Sequence, residues 1–216
     1  MGLGKCRHLD ILPAIFRGAL QSKHMQTKLE IVLNGPAEIV APRLLGCLMV
    51  RQLNGQQLIG RIVETEAYDQ YDAASHSYRG KTPRTEVMFG PAGRLYVYFT
   101  YGMHYCCNVV CGPVDYGGAV LIRAVEPLVG QAVMSRNRHG LSDEQLTNGP
   151  AKLCQALAID RSYNGHDLAR LPLQLIIKRP VAPKLVIQTT RVGISTAKDV
   201  AWRFYLRGNK YVSRPL

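Results

Sequence analysis

The clearest periodic signal in the chain is a pair of apolar runs, residues 47–53 and 57–68, on either side of Asn54-Gly55. That dipeptide tolerates the positive φ demanded by both central positions of a type I′ turn, so the runs are predicted to form a β-hairpin. Alternation along the second run puts Val63, Thr65 and Ala67 on one face and Glu64, Glu66 and Tyr68 on the other. Residues 69–94 lose this periodicity and collect His76, Gly80, Pro83, Gly90, Pro91 and Gly93 with the bases Arg79, Lys81 and Arg84. A loop of that length inside a domain more often carries function than not. Residues 95–100 and 104–110 read as two more strands joined at Tyr101-Gly102-Met103, and 119–125 as another. Helices are expected from Pro42 to a closing Gly46, over 127–136, over 150–159, and over 197–206 behind the capping hydroxyls of Ser195-Thr196. Strands thus dominate early and helices late. Residues 1–35, weakly periodic and mixed in charge, read as a partly disordered N-terminal extension; residues 36–216 carry no internal repeat and read as one domain. The expected fold is α+β: a single domain with a mainly antiparallel sheet, a protruding β-hairpin and flanking helices.

Composition narrows the class. With 216 residues, 47% hydrophobic and 19% charged, the chain can bury a sizeable core and is too apolar for a disordered tail. Its net charge of +12 favours a polyanionic partner, and eleven Lys/Arg against only Asp167 and Asp199 from Arg161 onward place nine of those charges in the last quarter. The six cysteines show no small-scaffold spacing and read as free thiols. No signal-peptide pattern opens the chain, and the uncharged stretch 95–114 is interrupted by Gly, Pro, Asn and tyrosines that suit hairpin strands better than a membrane span. A cytoplasmic protein without a membrane partner is the simplest expectation.

Three constellations could carry chemistry. Glu64, Glu66 and Tyr68 read either as a solvated strand face or as one water-orienting carboxylate beside a structural one. Residues at i and i+2 point the same way and cannot flank a bond as the facing carboxyls of a sugar glycosidase do. Tyr96, Tyr98 and Tyr105 fit sheet packing, whereas Tyr101 and Met103 at a hairpin tip fit either a wedge between DNA base steps or a contact with a partner protein. His104, Cys106, Cys107 and Cys111 fall on opposite strand faces without a C-x-x-C pair, so no metal site is expected; no phosphate-cradling glycine motif occurs either. His76 alone in its loop could equally be a surface residue. The C-terminal cations and aromatics, Trp202 to Arg214, fit a helix face as well as a phosphate-binding surface.

The runs RIVETEAY (61–68), AASHS (73–77), VMFGPAGRLYVYFTYGMHYCCNV (87–109), VLIRAVEP (120–127), NGPAKLCQALAI (148–159) and the ending RVGISTAKDVAWRFYLRGN resemble the alkyladenine (3-methyladenine) DNA glycosylase family from about Val40 onward. The resemblance implies a monofunctional hydrolase that flips alkylated or deaminated purines out of double-stranded DNA and excises them in base-excision repair, a class spanning 3-methyladenine, 7-methylguanine, hypoxanthine and ethenoadenine. It assigns Glu66 as the general base on the attacking water and Arg123 as the arginine positioning it, and leaves Glu64 non-catalytic. Tyr68, His76 and Tyr98 become the purine sandwich, Asn108 the residue that disfavours the guanine amino group, and Tyr101 and Met103 the wedge. No cofactor, metal or lysine Schiff base is implied, and a monomer is the default. Two alternatives stay open: a non-catalytic nucleic-acid-binding module, which has no need of a carboxylate beside a polyanion, and a hydrolase of free nucleosides, which has no need of a wedge or a +12 charge.

Overall fold

The computed structural model describes residues 18–141 and 143–214, with side chains described from residue 26. Four helices and eight strands are present among them: α1 (Gly18–Leu33), α2 (Ala37–Arg43), β1 (Leu48–Leu53), β2 (Gln56–Tyr68), β3 (Leu95–Thr100), β4 (His104–Val110), β5 (Ala119–Val129), α3 (Gln131–Asn137), α4 (Pro150–Ala156), β6 (Leu173–Ile176), β7 (Val186–Thr189) and β8 (Arg203–Leu206). The strands form one antiparallel sheet in the order β3-β4-β5-β2-β1-β6, with β8 joined to β2 and β7 to β8. The predicted α+β architecture is the observed one.

The β1–β2 hairpin turns at Asn54 (φ +49°) and Gly55 (φ +75°), as the dipeptide requires. Strand β2 is the spine, because β5 pairs along most of its length while β1 takes its first half and β8 pairs with Glu64, Thr65 and Glu66. Opposed irregularities at Val63 and Arg123 interrupt the β2–β5 ladder, since Ile62 pairs Val125, Glu64 pairs Ala124 and Thr65 pairs Ile122. Strict alternation therefore fails there. Val63 packs with Ala124, Tyr205, Tyr211 and Val212, whereas Ala67 belongs to the main core under the helices.

That core gathers Leu33, Val40 and Ala41 from the N-terminal helices, Leu44 and Leu45 just after α2, Leu153 and Leu157 from α4 and its C-cap, and Ile62, Val97, Val109 and Ile122 from the sheet. Each Leu, Ile or Val side chain among them contributes about 1.5–3 kcal/mol by burial. Most of residues 1–35 lies outside the described residues or in the helix α1, whose Leu29 and Leu33 enter the core. Pro42 sits in the last turn of α2 rather than opening a helix, and Gly46 follows with φ +83°.

Three expectations fail in the second half. Residues 127–129 extend β5, and the helix starts only at Gln131. Residues 197–206 form no helix: β8 alternates instead, with Phe204 entering the main core while Arg203 and Tyr205 face the other way. The short strands β6 and β7 complete a late half that is not predominantly helical.

Candidate active site

At the ends of β2, β3, β4 and β5 lies a cavity of about 540 Å³. Its walls bring together Tyr68, His76, Tyr98, Tyr101, Asn108 and Arg123, which are scattered between positions 68 and 123 of the sequence. Glu66 stands directly behind this wall, fully buried, covered by residues that donate to it: Val192 N–H to Oε1 at 2.8 Å, the Tyr68 hydroxyl to Oε2 at 2.9 Å and Arg123 Nη1 to Oε2 at 3.2 Å. A solvated face is therefore excluded for this strand, because Glu64 and Glu66 are both 0% exposed. A carboxylate offers about four lone-pair directions, so the three donors on Glu66 leave about one for a further hydrogen bond.

Glu64 meets a different set of partners. Its Oε1 accepts from Arg123 Nε at 2.9 Å and Arg203 Nε at 2.7 Å, so two carboxylates and two guanidiniums balance in a dry lattice behind the cavity. Buried charges survive only when paired in this way.

The aromatic wall is held from both sides. Tyr96 and Tyr98 stack at 5.8 Å between centroids, and the His76 ring meets Tyr98 edge-on at 4.6 Å. Tyr96, expected only as sheet filling, also hydrogen-bonds His76 Nδ1 at 3.0 Å, while Arg84 Nη2 lies 3.4 Å from Nε2. An arginine can only donate, so Nε2 accepts and the Nδ1–H tautomer donates to Tyr96. Both ring nitrogens thus have partners within the protein. Burial, and next the Arg84 charge, lower the His76 pKa to about 4, though part of the ring meets solvent and moderates the desolvation. The ring is neutral at pH 7 in the folded state, so unfolding takes up a proton between about pH 4 and 6.5, and whatever stability this group contributes is lost as pH falls through that window. An NMR titration of the ring protons should give a midpoint well below 6.5, and Arg84→Gln should move it upward.

Tyr68 is kept a neutral phenol: burial first, then the adjacent Glu66, push its pKa far up. The Arg191 guanidinium lies 4.8 Å from the Tyr68 ring centroid and 5.4 Å from that of Trp202, and forms a bidentate buried pair with Asp72. This pair anchors residues 192–196, which line the same cavity and supply the Val192 N–H to Glu66. Sequence reasoning missed this segment, having cast Ser195-Thr196 as a helix cap. Two of the C-terminal cations, Arg191 and Arg203, are structural ions in the interior and not part of a phosphate-binding surface.

At the cavity mouth the β3–β4 turn holds Tyr101 at φ +52° with 83% of the residue exposed, flanked by Met103 at 68%. Tyr101 lines the cavity; Met103 instead borders a separate groove with His104, Tyr105 and residues of α4. Asn108 is buried at the inner end and donates Nδ2–H to Tyr96 O at 3.3 Å. Among the described residues, no three His, Cys, Asp or Glu are grouped as ligands of one ion.

A profile of the methylpurine-DNA glycosylase family matches residues 31–210. The chain belongs to the methylpurine-DNA glycosylase family. It is 57% identical over 177 residues, 82% of this chain and 93% of the relative, to a Carboxydothermus hydrogenoformans protein named "Putative 3-methyladenine DNA glycosylase". Proteins of the same name from Nitrosospira multiformis and Methanoculleus marisnigri are each 50% identical, covering 82% and 81% of this chain and 88% and 92% of their own lengths. The resemblance drawn from the motifs is thus shown across the domain. Family membership makes the chain a DNA-repair glycosylase, a hydrolase of the N-glycosidic bond acting on DNA.

Proposed function

We propose that this methylpurine-DNA glycosylase excises alkylated or deaminated purines from duplex DNA, as a monomer and by hydrolysis alone, with Glu66 as general base. The observation that carries the reading is the placement of one carboxylate, buried and held by three donors, immediately behind an aromatic cavity whose mouth ends in an exposed tyrosine. A base inside a duplex is out of reach, so the nucleotide must be extruded at a cost of a few kcal/mol. Tyr101 fills the gap it leaves, and the cavity receives the purine between Tyr68 on one side and His76 and Tyr98 on the other. The lone-pair direction that Tyr68, Arg123 and Val192 leave open on Glu66 is the one that receives the attacking water. Glu66 then draws the proton from that water as it attacks C1′, the C1′–N bond breaks, and the bonding pair leaves with the base. Arg123 keeps the carboxylate aimed.

A cationic alkylated purine is doubly favoured, since it binds the electron-rich ring faces and departs as a neutral base. A neutral lesion such as hypoxanthine must gain a proton or hydrogen bonds as it leaves. His76 does not supply that proton at pH 7, because its low pKa keeps the ring neutral. Asn108, at the inner end, meets the purine edge and disfavours the guanine amino group.

Base release should be followed from duplexes carrying a single hypoxanthine or 7-methylguanine, from unmodified duplex and from free deoxyinosine. The reading expects free base and an alkali-labile site from the two lesions only. Salt-sensitive DNA binding without release from either would favour a binding module, and turnover of free deoxyinosine would favour a nucleoside hydrolase. Tyr101→Ala is expected to slow release from duplex about 10- to 100-fold while leaving the melting temperature unchanged, because the side chain is exposed and its loss removes only the wedge.

A further inference from the structure

The arginine that aims Glu66 is itself aimed by a residue near the C-terminus. Ser213 accepts from Arg123 Nη2 at 3.2 Å through Oγ, donates the same hydroxyl to Glu64 Oε1 at 2.9 Å, and gives its backbone N–H to Glu64 Oε2 at 2.6 Å. Glu64 in turn takes Arg123 Nε at 2.9 Å. The Nε and Nη2 donors form one edge of the planar guanidinium, so two fixed acceptors on that edge set the plane and direction of the whole group. Nη1 is then left pointing at Glu66 Oε2, at 3.2 Å.

We propose that Ser213 and Glu64 are positioning residues for the excision reaction: together they lock the Arg123 guanidinium so that its remaining corner orients the Glu66 carboxylate toward the attacking water. The assignment rests on the reading of Glu66 as the general base. Family membership alone does not point to it, because the matched residues end at 210. Nor does packing require it. The neighbouring apolar contacts of the C-terminal segment come from Tyr211 and Val212 against Val63, Ala124 and Tyr205, and Arg203 holds the Arg214 carbonyl separately. Those contacts seat the segment without the hydroxyl, which is free to serve the guanidinium. Glu64 thereby acquires a role: it shares Arg123 with Glu66 and, through Arg203, keeps the lattice neutral.

The test compares wild type with Ser213→Ala, Ser213→Thr and Glu64→Gln. Single-turnover base release is measured at saturating enzyme, together with affinity for duplex carrying a stable abasic analogue and the melting temperature. Ser213→Ala keeps the backbone N–H and loses the hydroxyl bridge; base release is expected to fall about 10- to 100-fold, the scale that follows from small misplacement of a reacting group. DNA affinity should stay within about twofold, because no DNA contact is lost. Ser213→Thr, which restores a hydroxyl on the same backbone, should recover most of the rate. Glu64→Gln should be slower than Ser213→Ala, because it weakens the Nε anchor as well. The proposal is overturned if Ser213→Ala releases base as fast as wild type. It is equally overturned if the loss tracks a fall in melting temperature and DNA affinity that Ser213→Thr does not reverse. Failure of the underlying reading is distinguishable, since Glu66→Gln would then release base at the wild-type rate.

Discussion

Glu66→Gln is expected to bind lesion-bearing duplex as wild type does and to release the base about 10²- to 10⁴-fold more slowly. That range is what a positioned general base contributes. The amide has the shape of the carboxylate but one acceptor oxygen in place of two, so of the Val192 N–H on Oε1 and the Arg123 Nη1 on Oε2 it keeps one and turns its NH2 toward the other. What it cannot do is take a proton from water. The substitution leaves Arg123 with less opposing charge, but Glu64 still balances one of the two guanidiniums, and circular dichroism should report a folded protein. Single-turnover release and equilibrium binding on the same duplex check both halves of the expectation. Equal losses in each would mean that Glu66 holds the site together and performs no chemistry.

Arg191→Met should be the most destabilising single change at the site. The arginine side chain is 0% and the Asp72 side chain 2% exposed, and their bidentate pair sits among Tyr68, Trp202 and the Ala67 carbonyl. Removing the cation leaves an uncompensated carboxylate in the interior, at about 3–5 kcal/mol. For a domain of this size that corresponds to a melting temperature lower by about 10 °C. Asp72→Leu combined with Arg191→Met removes both charges, and the double variant should melt higher than Arg191→Met alone. Thermal unfolding of the variants measures this directly. Excision should fall in the single variant even at temperatures where it is folded, because Arg191 precedes Val192, whose N–H holds Glu66.

What could be read from the chain was what is encoded locally. Asn54-Gly55 specifies its own turn, and Tyr101-Gly102-Met103 separates two β-prone, tyrosine-rich runs, so both hairpins appear where their residues place them. Pro127 misled because proline lacks a ladder donor. In the structure it pairs opposite Gly60 at a register shift, which absorbs the missing hydrogen bond and lets β5 run on to Val129. Residues 202–206 misled because a short aromatic run fits a helix or a strand equally well, and only the partner, β2, decides. Strands β6 and β7, four residues each, are too short to show a period and are stabilised by distant segments.

The site divides in the same way. Residues proposed to act through their own side chains, Glu66, Tyr68, His76, Tyr98, Asn108 and Arg123, stand in motifs visible in the sequence, and the structure gathers them around one cavity. Residues that act by holding others were invisible: Val192 and Ser213 reach Glu66 and Glu64 across 126 and 149 positions through their backbone N–H groups, which no side-chain pattern announces. Glu64 and Glu66 look alike in sequence and differ only in which donors the fold brings to each.

The central claim, that one cavity receives an extruded purine and that Glu66 drives its hydrolysis, is tested most directly by a duplex carrying a single ethenoadenine, whose fluorescence reports its stacking. Stopped-flow fluorescence and rapid-quench base release should be recorded in parallel for wild type and Glu66→Gln. The account predicts the same fluorescence change in both proteins, as the base leaves the helix and enters the aromatic wall, with free ethenoadenine formed only by wild type. Release by Glu66→Gln at the wild-type rate, or release by wild type with no change in stacking, would contradict it.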